Sequence, residues 1–416
     1  MVPSVMEQQS TVEIKPPRNI DMIELDRSKF DLTIRCSAAE VPAKSCTTIM
    51  KALNGACSRF SDLQFKPKIV MPCGTDNSRK IILLDDKHRS NTLIQQEGGS
   101  VKDIDVKIVY RNWSASQILR AILPDSIDDS EVVSGFEVIG HIAHLNLREC
   151  HDKYKFVIGQ VILDKNPFLK TVVNKLKTIH SEYRYFDMEV LAGEHNFITT
   201  AIEHKIKFTM DFSKLYWNSR LGSEHKRIVD LIPVGSTVLD MFCGIGPFAL
   251  PLARKKCHVH ANDLNPESYN YLLKNIALNK IPQKFITCYN QDGRELIRNF
   301  DGQIDFVLMN LPASATEFLD VFRGLYCGRK SDLKPPTVFC YHFAEMTSPE
   351  KTSTEAVIAK LGCQVVPEEV HLVRKTAPKT WMTCVRFVVP HAVLYDESEN
   401  KRIKLDTEKS ENSILN

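Results

Sequence analysis

The chain has little that would tie it to a membrane, a metal or a disulfide framework. No run of about eighteen apolar residues occurs in its 416 residues, so the sequence holds no membrane-spanning helix. Twelve cysteines are present, yet none forms a CxxC pair and no Cys/His cluster has zinc spacing. Several lie in apolar runs, among them Cys288 and Cys384, as buried free thiols of a reducing compartment do. The N-terminus lacks the apolar core of a secretory signal. Its Glu7, Glu13, Asp21 and Glu24 set it apart from an acid-poor transit peptide. A net charge of +3 is nearly neutral, so any basic surface for nucleic acid must be local. With 43% hydrophobic and 25% charged residues, the composition is that of an ordinary globular chain long enough for two or three domains.

No internal repeat is visible. Residues 1–30 are polar, interrupted by Pro16 and Pro17, and read as a flexible arm. Residues 31–113 carry short alternating runs, KIILLDD and VKIVYRN, that predict a small α+β domain with a loose linker around Asn91–Lys102. Residues 114–210 read as a middle domain. SASQILRAIL is an amphipathic helix, FEVIGHIAHLNL and KFVIGQVILD a strand-containing core, NPFLKTVVNKLKTI a helix, and FDMEVLAG and IKFTMDFS strands. Between Lys153 and Arg184 seven Lys/Arg accompany two Asp/Glu; this is either a phosphate-facing surface or a solvated helix face.

Residues 211–392 alternate strand and helix. Strands are expected at STVLDMF, CHVHANDL, FITCYNQ, IDFVLMNL, TVFCYHFAE, CQVVPEEVHLV and TCVRFVV. Helices are expected at PFALPLARK, PESYNYLLKNIALN, GRELIRN and SPEKTSTEAVIAKLG. Continuous apolar strands are covered on both faces, so the fold class is α/β, a doubly wound open sheet. Its last two strands are close enough in sequence for an antiparallel edge hairpin. Residues 393–416 are charged, without periodicity, and read as a disordered tail.

VLDMFCGIGPFALPLA, residues 238–253, ends a strand at Asp240, turns through Gly244 and Gly246, and starts a helix near Pro247. A lone GxG is weak evidence. Asp263 follows Gly244 by 19 residues and ends the second strand, where a carboxylate meets ribose hydroxyls. Asp292 ends the third strand, on the adenine side, and Asn310-Leu311-Pro312-Ala313 ends the fourth. Each aspartate alone is as well explained by a helix cap or a turn. Four polar strand ends on one sheet edge are a ligand site. NAD would require a third glycine and a second mononucleotide-binding half; S-adenosylmethionine requires one half and brings an electrophilic methyl group.

These motifs resemble the eukaryotic and archaeal tRNA (guanine-37-N1)-methyltransferases. The resemblance lies in FDMEVLAGEHN, DFSKLYWNSRLGSEHKRI, DMFCGIGPFALP, NLPASATEFLD and HLVRKTAPKTWMTCVRF, and covers about residues 114–390. It implies an open class I methyltransferase sheet preceded by smaller N-terminal and middle domains that touch tRNA. It implies methyl transfer to N1 of guanosine-37 beside the anticodon, with inosine-37 a further acceptor. It implies a monomer found in cytoplasm, nucleus and mitochondrial matrix, with tRNA as partner.

The resemblance also assigns roles. Glu224 is the general base that takes the N1 proton, Arg184 steadies O6, and Asn310 contacts the guanine. Tyr216, His225, Asp240, Phe242, Gly244, Gly246, Asp263, Leu264, Asn265, Asp292, Gly293, Asn310 and Pro312 form the S-adenosyl-L-methionine site. Ser219 replaces the family's usual proline and Cys243 its usual alanine. Ala313 cannot stack on a flipped base as the aromatic of exocyclic-amine methyltransferases does, which favours a ring nitrogen as target. Two other readings are a sister enzyme that transfers the aminocarboxypropyl group in wybutosine synthesis and a non-catalytic tRNA-binding relative.

Overall fold

In the computed structural model the described residues are 14–54, 57–133, 135–179, 186–329 and 333–396. Contacts divide the chain into two compact units: Met1–Glu137 with His141–Lys175 and Met188–His195, and Val138–Gly140 with Leu176–Asp187 and Asn196–Asn416.

In the first unit Leu32–Pro42 is the centre of an antiparallel sheet, paired on one side with Asp76–Leu83 and on the other with Ser100–Ile108. One apolar cluster runs from Phe30 through Trp113 and Ile118 to Ala192, so the core is continuous across the expected boundary at residue 113. Trp113 donates its indole N–H to Phe30 O at 2.8 Å, which satisfies the polar end of a fully buried ring.

Several local expectations are corrected here. Lys155–Lys165, expected within a strand-containing core, is an α-helix. Thr171–Ile179, expected as a helix, is a strand paired in parallel with Ile142–Leu145. KFVIGQVILDK is apolar nearly all round, and such a run suits a buried helix as well as a strand. The helix packs closely enough that a side chain at Gly159 would meet Leu191 Cβ at 2.5 Å. Asn91–Lys102 is not a loose linker: Thr92–Gln96 is a helix capped by Asn91, and a strand begins at Ser100. In the expected arm, residues 14–30 pack on the core, with Asn19 N–H bonding Ala121 O at 2.8 Å; residues 1–13 lie outside the described residues. In the expected tail, His391–Leu394 is a helical turn with Val393 and Leu394 buried; residues 397–416 lie outside.

The second unit is built on a seven-stranded sheet. Its strands are β1 (Thr237–Asp240), β2 (His258–Asn262), β3 (Ile286–Tyr289), β4 (Phe306–Met309), β5 (Thr337–Glu345), β6 (Glu369–Ala377) and β7 (Thr380–Val388), in the order β3-β2-β1-β4-β5-β7-β6. The first five are parallel, and β7 runs antiparallel to both neighbours. Helices α1 (Gly222–Leu231), α2 (Ala249–Arg254), α3 (Pro266–Leu278), α4 (Gly293–Asn299) and α5 (Pro349–Leu361) accompany it. The order reverses at β1, and open sheets bind ligands at that switch point, beyond the carboxyl ends of the strands. The expected strand CQVVPEEVHLV forms only from Glu369, and Val366 before it is exposed.

A two-stranded hairpin, Ile198–Glu203 with Ile206–Asp211, precedes α1. Its turn residues His204 and Lys205 both have positive φ, the tight turn that suits strand twist. Its edge is closed by Asn275 of α3 and by Asn279, which caps that helix. Asn275 and Asn279 each accept from and donate to the backbone of the second strand, at Thr209 and Lys207.

Candidate active site

The register sets Asp240 level with Ala261 of β2 and Leu308 of β4, and Met309 level with Cys340 of β5. The segments after these residues therefore share one rim. Asp240 is fully buried and neither carboxyl oxygen makes a well-formed hydrogen bond, although the Phe242 N–H lies near it. Burial, reinforced by the neighbouring Asp263, pushes its carboxyl up to about 8. Asn310 Oδ1 is likewise buried without a partner. Buried polar atoms left unpaired are costly, which makes these two candidates for contact with a polar ligand.

The glycine loop is welded to the neighbouring strand end. Asp263 accepts from Gly244 N–H at 2.8 Å and from Asn265 N–H at 2.9 Å, and burial raises its carboxyl. Part of its acceptor capacity is thus spent on the protein, and ribose hydroxyls would use the remainder. Asn262, which sequence reasoning missed, does more of the welding: its amide donates to Met241 O and Gln291 O and accepts from Gln291 N–H. Gly244 sits at φ +54° with open space where a side chain would be. Gly246, at φ +96°, has Leu250 Cδ1 only 2.1 Å from a hypothetical Cβ. One glycine therefore leaves room for a ligand, the other for the following helix.

Asn265 and Asp292 are N-caps of α3 and α4, accepting from Glu267 and Arg294 N–H. Gly293 is buried between Met241 and Phe242, Phe242 lies edge-on to Phe318, and Leu264 is exposed. Pro312 O accepts from Phe343 N–H, fixing the NLPA turn beside β5. Tyr216 is 57% exposed and accepts from Asn218 Nδ2. Asn265 also donates to Lys214 O, so the segment bearing Tyr216 is tied to this rim. The Nδ1 of His225 meets Glu203 at 2.7 Å and its ring stands edge-on to Phe248, so it lines a cleft with Ile206, Phe208, Pro247 and Pro251. Arg184 lies outside the described residues.

Glu224 is buried on α1 and joined to β5. Tyr341 Oη donates to Oε1 at 2.7 Å, and Arg227 clamps the carboxylate through Nε at 2.7 Å and Nη2 at 2.8 Å. The Arg227 guanidinium is raised by Glu224, against the cost of its burial. His371 on β6 has Nε2 at 3.5 Å from Oε2. Arg227 also reaches Glu369 at 3.2 Å. Sequence reasoning found Glu224 but none of these partners. The Glu224/Arg227 spacing of three on a helix was the one available signal.

Comparison with known proteins fits this geometry. Residues 199–372 match the family described as TRM5/TYW2 methyltransferase domain, and residues 115–196 the TYW2 N-terminal domain. A tRNA (guanine(37)-N(1))-methyltransferase of Danio rerio is 40% identical over 94% of this chain and 87% of its own length. The chain belongs to the tRNA (guanine(37)-N(1))-methyltransferase family. The family member of Schizosaccharomyces pombe is 37% identical over 92% of this chain and 97% of its own length. Among solved structures, Trm5b of Pyrococcus abyssi superposes with TM-score 0.62 at 25% identity, covering 85% of this chain and 99% of that one. As expected, then, the catalytic fold of this family member is the class I methyltransferase sheet and its cofactor S-adenosylmethionine.

Proposed function

We propose that this chain transfers a methyl group to N1 of guanosine-37 in tRNA, with Glu224 as the base. Its curated relatives carry that activity in their names. The observation that carries the reading is the rim itself: unpaired Asp240 and Asn310 beside an open Gly244, with Glu224 tied to the adjacent strand.

The residues present fit the cofactor. Asp263 offers a carboxylate, Asp240 a buried carboxyl, Gly244 a bare backbone, and Phe242, Leu264 and Pro312 apolar surface. S-adenosylmethionine supplies the electrophilic methyl group when bound. The rest of the chemistry belongs to the acceptor. Guanine N1 carries a proton at neutral pH, and its removal leaves negative charge on O6. Glu224 takes that proton and Asn310 holds the base. Arg184 is assigned to O6 by the family resemblance. A target base must leave its stack to reach such a rim, which is easier in an anticodon loop than in a duplex.

An unmodified tRNA transcript with guanosine-37 should gain one methyl group, found as N1-methylguanosine, and an adenosine-37 transcript none. The match of residues 115–196 to the TYW2 N-terminal domain makes an aminocarboxypropyl adduct the second reading. Mass spectrometry of the nucleoside separates the two: the larger adduct overturns methyl transfer. Glu224→Gln should slow the reaction by roughly a hundredfold or more while tRNA still binds.

A further inference from the structure

A base as deeply buried as Glu224 needs a way to shed each proton it takes. Its carboxylate is 3% exposed, and four of the described side chains lie around it. Arg227 is permanently charged and cannot carry the proton onward. Tyr341 is fully buried, and burial holds its phenol protonated. Cys384, beside them, is buried and its thiol is raised well above the usual range. His371 differs from all three. Its ring is 36% exposed, with Nε2 at 3.5 Å from Glu224 Oε2 and Nδ1 at 3.9 Å from Glu369 Oε1. Glu369, itself 35% exposed, also meets Arg227 and Arg386.

We infer that His371 is the proton outlet of Glu224, a role that rests on reading Glu224 as the base. In each cycle the guanine N1–H bond breaks and an O–H bond forms on Glu224. That O–H bond then breaks as N–H forms on His371 Nε2, after a shift of under an ångström closes the gap. The imidazolium releases a proton to bulk water, and carboxylate and ring return to their starting charges. Among the described residues facing Glu224, only His371 joins a ring nitrogen able to take up a proton to a face open to water. Glu369, 3.9 Å from Nδ1, lends negative charge that favours the transient imidazolium.

The outlet matters only between turnovers, so the test compares the first turnover with those that follow. His371→Ala, mixed rapidly with a guanosine-37 transcript and cofactor, should complete one turnover per enzyme. Its steady-state rate should then fall about tenfold or more, and added imidazole should restore it. His371→Gln, which keeps polarity but cannot carry the proton, should show the same burst and the same slow phase. A steady-state rate equal to that of the parent overturns the proposal. So does a loss that imidazole fails to restore, because that outcome marks a structural role. If Glu224→Gln turns over like the parent, the base assignment itself has failed, whatever His371 does.

Discussion

The site depends on individual side chains whose surroundings set their charge. Asp240 illustrates the sign of the effect. Its carboxyl is raised to about 8 in the folded protein from an ordinary value near 3.8. The folded state therefore holds a proton that the unfolded chain gives up, and stability falls as pH climbs between those two values. Asp263, also raised by burial, acts in the same direction. Chemical denaturation of the free protein at pH 6 and pH 9 should show a loss of about 2 kcal/mol from Asp240 alone, reduced in Asp240→Asn. Equal losses in the two proteins would remove Asp240 as the source. Asp263→Ala, by contrast, should weaken S-adenosylmethionine binding in calorimetry by tenfold or more, roughly one lost charge-assisted hydrogen bond. Asp263 was readable from its distance to Gly244. Of the partners of Glu224 only Arg227, one helical turn on, was within reach of the sequence; Tyr341 and His371 come from two strands that only the folded sheet brings to it.

At the scale of elements, the glycine loop separates two roles that look alike in sequence. Gly246→Ala forces a methyl group against Leu250 and Leu272 at φ +96°, and should cost about 2–4 kcal/mol of stability by denaturant titration. Gly244→Ala meets nothing within van der Waals reach and should fold with a loss of about 1 kcal/mol, yet bind cofactor poorly. A Gly244→Ala protein with parental cofactor affinity would show that no ligand approaches there. The parallel strands were legible because each is a short apolar run followed by a helical segment, two of them opened by capping side chains, Asn265 and Asp292. The exchange of helix and strand at Lys155–Lys165 and Thr171–Ile179 has a physical cause. The helix buries Val157, Ile158, Val161 and Ile162 on several sides, which erases its amphipathic period. The strand buries both Val172 and Val173, which erases alternation.

At the scale of the whole molecule, the two units have separate cores and only one holds the cofactor rim. Trp113 reports on the first unit, Trp217 and Trp381 on the second. S-adenosylmethionine at a hundred times its dissociation constant stabilises the state that binds it by about 2.7 kcal/mol. Melting followed through Trp217 and Trp381 in a Trp113→Phe protein should therefore shift upward. Melting followed through Trp113, with the other two replaced by phenylalanine, should shift less. Equal shifts would mean that the units unfold as one cooperative body.

The hairpin before α1 carries a consequence for life at high concentration. A strand edge ordinarily invites another chain to add to it. Here Asn275 and Asn279 occupy the backbone positions that an intruding strand would seek, two side-chain amides acting as a molecular selvedge. Removing Asn279, which makes its bonds to Lys207 and to Asn275 O away from the glycine loop, would open part of that edge and give neighbouring molecules a place to stick.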